Sequence, residues 1–258
     1  MSKLATVITG ASSGIGEELA WLFAAEHQPL VLVARRKEPM ELLAKNLGSK
    51  HGVRVYVISR DLQEPGAADG LMADLAALGL QVDTLVNNAG FGVSGPFAKN
   101  DPLRTSQMMQ LNMVTLTELT QRALPGMLER GHGRILNVAS MVAFQACPYF
   151  AVYGASKAYV LSLSEALAEE VADRGVKVSA LCPGSTNTAF HDVAATRGSI
   201  LEQIADSPKM VAEEAYKGLN NGKRVIITGW LNKPVPVLNR LAPRRAVTWT
   251  VAKVLGKR

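Results

Sequence analysis

Short runs of β-branched and aliphatic residues alternate along the chain with longer stretches in which apolar side chains recur every three to four positions. The runs are Leu4–Thr9, Leu30–Ala34, Val53–Ser59, Val82–Asn87, Arg134–Ser140, Val176–Leu181 and Val225–Thr228. Their near-continuous apolar character marks strands covered on both faces, and strands that alternate with helices form a parallel sheet. Right-handed crossovers then place helices on both sides. The pattern predicts an α/β fold, a doubly wound parallel seven-stranded sheet in a single domain over residues 1–233. No internal repeat or linker interrupts it. From Pro234 the pattern changes, and residues 234–258 are expected to be a basic C-terminal extension, mainly helical.

Composition narrows the function classes. A chain of 258 residues is long enough for one large core. The two cysteines, Cys147 and Cys182, have neither metal-ligand spacing nor the density of a disulfide scaffold, so no metal is expected and a reducing compartment is. The N-terminus runs directly into the first strand, which leaves no room for a secretory leader and makes the cytoplasm the expected location. No apolar run reaches the roughly 18 residues of a membrane span. The net charge of +6 is unevenly placed: no acid follows Glu214, and ten of the 28 lysines and arginines lie beyond it. A mildly acidic body thus carries a strongly basic tail. Only Trp230 and Trp249 interleave with those cations, so no nucleic-acid partner is expected.

Directly after the first strand comes Thr9-Gly10-Ala11-Ser12-Ser13-Gly14-Ile15-Gly16, followed by a stretch of helical periodicity. Glycines permit a tight turn and close backbone approach to a pyrophosphate, and the helix N-terminus offers unpaired N–H groups at its positive end. The second strand ends in Ala34-Arg35-Arg36, where a carboxylate would bind the 2′-hydroxyl of NAD and an arginine a 2′-phosphate. Two guanidiniums and no acid predict NADP (NADPH) as cofactor, with NAD disfavoured.

Farther along, Tyr153 stands four residues before Lys157, on the same face of a helix. A fixed cation beside a phenol favours the ionised form and is expected to lower its pKa toward the working range of a general acid/base. Together with Asp61-Leu62 after the third strand, Asn87-Asn88-Ala89-Gly90 after the fourth, Ser140 ending the fifth, and Pro183-Gly184 after the sixth, these motifs make the chain resemble a single-domain, Rossmann-type short-chain dehydrogenase/reductase over about residues 3–230.

The resemblance implies a catalytic tetrad of Asn112, Ser140, Tyr153 and Lys157. Ser140 would hydrogen-bond the substrate oxygen, Tyr153 exchange its proton, Lys157 tune the phenol and hold the nicotinamide ribose, and Asn112 hold a water in a proton relay. It also implies cofactor contacts: Gly10, Ser12, Ser13, Gly14, Ile15 and Gly16 at the pyrophosphate, Asp61 and Leu62 near adenine, Asn88, Ala89 and Gly90 beside the ribose. Tyr153 and Lys157 would reach the cofactor as well, with Pro183, Gly184, Thr186 and Thr188 flanking the nicotinamide. Thr186 stands where the family often has a β-branched aliphatic residue, which leaves a backbone contact intact.

The implied activity is interconversion of a ketone or aldehyde with an alcohol. The alternative is a non-catalytic NADP(H)-binding sensor that keeps the fold for binding. Pocket walls are expected from Phe91–Val93, Met141–Phe144, Cys147–Phe150 and residues 189–210, with His191 and Arg197 available to a polar substituent. Their apolar character favours a hydrophobic small-molecule substrate.

Family resemblance further implies a homodimer or homotetramer joined through helices around residues 105–127 and 153–173. In the second of these, Ala155, Ser156, Ala158, Ser162, Ser164, Ala166 and Ala168 permit close approach. In the tail, Val247, Val251, Val254 and Leu255 form one stripe, and Arg245, Trp249 and Lys253 lie nearly opposite. Two destinations follow: the stripe docks on the body or a partner subunit, or the basic face with its tryptophan rests on an anionic membrane.

Overall fold

The computed structural model describes residues 3–188 and 205–256. Seven strands form one sheet in the order β3-β2-β1-β4-β5-β6-β7, every neighbouring pair parallel. They are β1 (Lys3–Thr9), β2 (Leu30–Ala34), β3 (Val55–Ser59), β4 (Leu80–Asn87), β5 (Gly133–Val138), β6 (Val176–Cys182) and β7 (Val225–Ile227). The expected doubly wound architecture is what the chain adopts. The boundary that bears on the site differs: β5 stops at Val138, and Ser140 instead caps the short 3-10 turn Met141–Phe144, its hydroxyl accepting from the Val142 N–H at 3.3 Å.

Side-chain alternation builds two cores from the same strands. Ile8, Leu30 and Leu32 point to one face, where they pack with Leu19 and Phe23 of α1 (Gly14–Ala24), Met40 and Leu47 of α2 (Lys37–His51), and residues of a later helix, Pro208–Asn220. Val7, Val31 and Val33 point to the other, against α3 (Ala67–Ala77), α5 (Leu116–Arg130) and α6 (Ala151–Glu170). A period of two along a strand with apolar residues on both phases is the condition for a sheet buried on both sides.

Between those helices, α4 (Pro102–Met109) starts at Asp101, whose carboxylate accepts from the Leu103 N–H at 2.9 Å. It runs into α5 through a π-helical turn, Gln110–Thr115. The sequence pattern contains no sign of that wider turn, because one inserted residue shifts the helical face without changing its composition.

The Pro208–Asn220 helix is α7, and the C-terminal extension forms α8 (Val235–Leu241) and α9 (Arg244–Leu255). Val251 and Leu255 pack on a cluster formed by Phe91, Met108, Cys147, Phe150 and Tyr153. Val235 sits on the neighbouring cluster, and Asn239 donates to Gln145 Oε1 at 2.8 Å. Val251 and Leu255 of the stripe therefore dock on the body, while Val254 is exposed. Among the described residues, no helix is long and apolar enough to cross a membrane.

The small residues of α6 divide in a way the sequence does not show. Ser156, Ser164 and Ala168 are buried within the protein and unavailable to a partner, while Ala155, Ser162 and Ala166 face outward. The hydroxyls of the buried Ser156 and Ser164 bond the preceding turn, Ser164 to the Val160 carbonyl at 2.7 Å.

The strand order reverses between β1 and β4, and this is where a doubly wound sheet opens a crevice at its carboxyl edge. Thr9 ties the two sides of the opening together. Its hydroxyl donates to the Val86 carbonyl at 3.1 Å and accepts from the N–H groups of Asn88 and Ala89, each at 3.0 Å. Thr9→Val keeps the shape and strands these partners, so unfolding titrations should show a loss of about 2 kcal/mol, with Thr9→Ser retaining most of the wild-type stability.

At the opposite edge Arg134 grips Glu26, with Nη1 to Oε1 at 2.8 Å, and Tyr216 donates to the same Oε1 at 2.9 Å. Burial pushes the Glu26 carboxyl up, but the hydrogen bond and charge of Arg134 outweigh it and hold the group below its ordinary 4.5. A carboxylate lowered by folding adds stability above its unfolded-state value and loses it as pH falls through the folded-state one. Glu26→Gln should therefore cost about 2 kcal/mol at neutral pH. Denaturation curves of variant and wild type should converge below the ordinary carboxylate range.

Candidate active site

The glycine loop leaves β1 and enters α1 at the crevice. Gly10 and Gly14 have φ of +66° and +63°, a left-handed backbone that favours glycine. A Cβ on Gly10 would stand 2.7 Å from Asn88 Nδ2, and one on Gly16 2.5 Å from the Gly10 carbonyl oxygen. Asn88 fills that space, donating to the carbonyls of Thr9 at 2.9 Å and Gly10 at 3.2 Å. Ser13 caps α1 without a side-chain bond to its first turn. The loop thus offers backbone N–H groups at the positive end of a helix, with no Cβ at its three glycines. Those features fit a dinucleotide pyrophosphate.

Around this loop the structure assembles the remaining sequence-predicted residues. Arg36 folds over it, Nη2 donating to Ser12 Oγ at 3.1 Å and Ser13 Oγ at 3.0 Å. Arg35 turns the other way, to 3.9 Å from Asp61. Leu62 is buried, and its carbonyl accepts from Thr115 Oγ1 at 2.9 Å. Thr188 packs against Gly14, its Cγ2 filling the space a Cβ would need there. Thr186 is buried and donates to the Gly184 carbonyl at 3.3 Å, in a short bridge to Asp206.

The four expected catalytic residues converge on the same cleft from the turn after β5, from α6 and from the π turn. Ser140 lies beside Tyr153, close enough for its hydroxyl to favour the phenolate. Lys157 is buried, donates to the Val138 carbonyl at 2.8 Å, and holds its Nζ 5.8 Å from the centre of the Tyr153 ring. Asn112 is fully buried at the π turn; its Oδ1 accepts from the Phe91 N–H at 3.2 Å and its Nδ2 donates to the Phe91 carbonyl at 3.0 Å. A wide turn is what lets an asparagine amide clamp both backbone groups of one residue. Gly90 fits because a Cβ there would come within 3.0 Å of Asn112 Oδ1 and 3.4 Å of Lys157 Nζ.

One electrostatic expectation is corrected. In the protein alone Lys157 does not lower the Tyr153 pKa. Burial pushes the phenol up, well past its ordinary 10, and the Ser140 hydrogen bond offsets only part of this. Burial likewise pushes Lys157 down, to about 8. Desolvation disfavours whichever form is charged, and in this pocket it outweighs the attraction between the two side chains.

Several contributors were not visible in the sequence. Ser156 links Asn112 to Tyr153, accepting from Asn112 Nδ2 at 3.3 Å and donating to the Tyr153 carbonyl at 2.7 Å. Phe91, Cys147 and Phe150 are indeed beside Tyr153, but Met108 from α4 and Val251 and Leu255 from α9 join them. Arg104 stacks over the Phe91 ring at 4.2 Å. No local motif connects positions so far apart in the chain. His191, Arg197 and the rest of the expected wall from 189 to 204 lie outside the described residues.

Known proteins are similar to this chain in sequence and fold. The family model for short chain dehydrogenases matches residues 4–197. The ketoacyl reductase HetN of Nostoc is 29% identical over 221 residues, which cover 86% of this chain and 77% of that protein. A short-chain dehydrogenase of Sphingobium yanoikuyae in complex with NADPH superposes with a TM-score of 0.80 at 30% identity, covering 98% of this chain and 96% of that one. A bulky-bulky ketone specific alcohol dehydrogenase of Comamonas testosteroni gives 0.78 at 29%, covering 95% and 93%. With a seven-stranded parallel sheet, a glycine loop at its switch point and a family match across most of its length, the chain belongs to the short-chain dehydrogenases and is an oxidoreductase.

Proposed function

We propose that the protein reduces a hydrophobic ketone or aldehyde to the alcohol with NADPH, and runs the reverse oxidation through the same groups. The observation that carries this reading is the convergence of Ser140, Tyr153, Lys157 and Asn112 on the cleft beside the glycine loop. When bound, the reduced nicotinamide supplies hydride to the carbonyl carbon. Ser140, placed beside Tyr153, donates a hydrogen bond to the substrate oxygen and so holds that atom next to the phenol. Tyr153 gives its proton to the oxygen as negative charge develops there. Its raised pKa supports the reductive direction, because the phenol enters the step protonated.

Lys157, buried next to the tyrosine and charged at neutral pH, would hold the nicotinamide ribose beside the phenol. Asn112 acts by position: it holds Phe91 and, through Ser156, the first turn of α6 that carries Tyr153. For cofactor choice, Arg36 lies across the loop serines and Arg35 beside Asp61, two guanidiniums at the rim where a 2′-phosphate would sit. The NADPH complex of the Sphingobium relative is in keeping with that choice. The apolar wall of Phe91, Met108, Cys147 and Phe150 supports a bulky apolar substrate, as does the bulky-ketone specificity of the Comamonas relative. The outward stripe of Ala155, Ser162 and Ala166 supports assembly into a homodimer or homotetramer.

Tyr153→Phe should lower turnover by about 10²–10⁴-fold on ketones and aldehydes while NADPH binding, followed by fluorescence titration, is unchanged. Retained turnover refutes the assignment, and silence of the wild type across a broad carbonyl panel with tight NADPH binding returns the sensor reading. NADPH should be preferred to NADH by about tenfold or more in kcat/KM, and Arg36→Leu should erode that preference. A wild-type preference for NADH overturns the cofactor assignment.

A further inference from the structure

The C-terminal extension has two faces, and only one is used by the fold. On α8, Val235 and Asn239 meet the body, while Val237, Leu238 and Leu241 share the opposite side and are exposed, Leu241 at 80%. On α9, Val251 and Leu255 meet the body, while Arg245, Trp249 and Lys253 follow one another at four-residue spacing on the outer side. Lys253 stacks on the Trp249 ring at 3.8 Å. The turn after β7 adds Trp230, 77% exposed, and Leu231. This run of exposed large apolar side chains is interspersed with Lys233, Arg240, Arg244, Arg245 and Lys253, and the chain has no acid beyond Glu214.

We propose that residues 230–254 dock on an anionic lipid bilayer, and that the substrate is a lipophilic carbonyl compound that enters the cleft from that bilayer. Basic side chains with exposed leucines and tryptophans on one surface match the anionic headgroups and apolar interior of such a membrane. A second copy of this chain is a poor occupant, because a symmetric contact would set these cations against their equivalents with no acid between them. Nucleic acid would satisfy the charges but leave Val237, Leu238 and Leu241 in water.

The link to substrate is geometric. The helix that carries Trp249 and Lys253 outward presses Val251 and Leu255 onto Phe91, Phe150 and Tyr153, so the docking face and the catalytic pocket lie on opposite sides of one helix. The substrate clause rests on the reductase reading above; the docking clause does not.

Flotation of the full-length protein, with NADPH present, tests the docking. Vesicles are phosphatidylcholine alone or a phosphatidylcholine–phosphatidylglycerol mixture, at physiological and high salt. Wild type should float with the mixed vesicles, remain soluble with phosphatidylcholine alone, and be released by salt. Arg245→Gln with Lys253→Gln, and separately Leu238→Ser with Leu241→Ser, should each weaken partitioning by about tenfold or more, with NADPH affinity and circular dichroism unchanged. Equal partitioning of wild type and both variants overturns the proposal. So does a leucine variant whose only change is a smaller sedimentation coefficient, or short duplex DNA that binds where vesicles do not. Mixed vesicles should also lower the KM of a long-chain ketone in the wild type but not in the leucine variant. An unchanged KM overturns the substrate clause, while absence of turnover on every carbonyl overturns the reductase reading and leaves flotation to decide docking.

Discussion

Lys157 is an ammonium group held inside the protein, with the Val138 carbonyl as its hydrogen-bond partner and the Tyr153 ring as its neighbour. Burying a charge on one oxygen is costly, and the cost shows in the lysine pKa, pushed down to about 8. Much of the surrounding structure is arranged around this group. The Val138 carbonyl that ends β5 accepts its hydrogen bond, and Gly90 leaves it room, since a Cβ there would stand 3.4 Å from Nζ. An ammonium loosely held in water would neither need these features nor depart from an ordinary lysine.

The same burial explains why tyrosine and lysine do not tune each other as their spacing alone implies. Four residues on a helix place them on one face, but desolvation pushes the phenol up and the ammonium down, both toward neutrality. The phenol is left protonated and the lysine still charged at neutral pH. That is the proton inventory a reduction requires at its start, and it is a property of the pocket rather than of the pair.

The fold was legible because strands buried on both faces leave short β-branched apolar runs that alternate with stretches of helical period. The glycine loop was legible for a related reason: Gly10 and Gly16 are dictated by close contacts within the loop and across the switch point, and Gly14 by its left-handed backbone. What stayed hidden depends on distant packing. Ser156 reads as one small residue among several on α6, and only the inward turn of its hydroxyl makes it a link between Asn112 and Tyr153. The π turn leaves no compositional trace. Val251 and Leu255 are part of a visible stripe, yet which surface the stripe covers is decided by Phe91, Met108 and Phe150 far back in the chain. Ser140 was placed at the end of a strand, whereas the backbone has already turned to let its hydroxyl cap the next element and meet Tyr153.

The claim that burial of Lys157 sets the protonation of the site is tested most directly by the pH profile of kcat/KM for carbonyl reduction, which reports the free enzyme's essential groups. The profile should be level through neutrality and fall above about 8 as Lys157 loses its proton. Lys157→Arg, whose guanidinium stays charged, should move that limb upward. A profile still level beyond the ordinary lysine value of 10.5, or an alkaline limb that Lys157→Arg leaves in place, would contradict it.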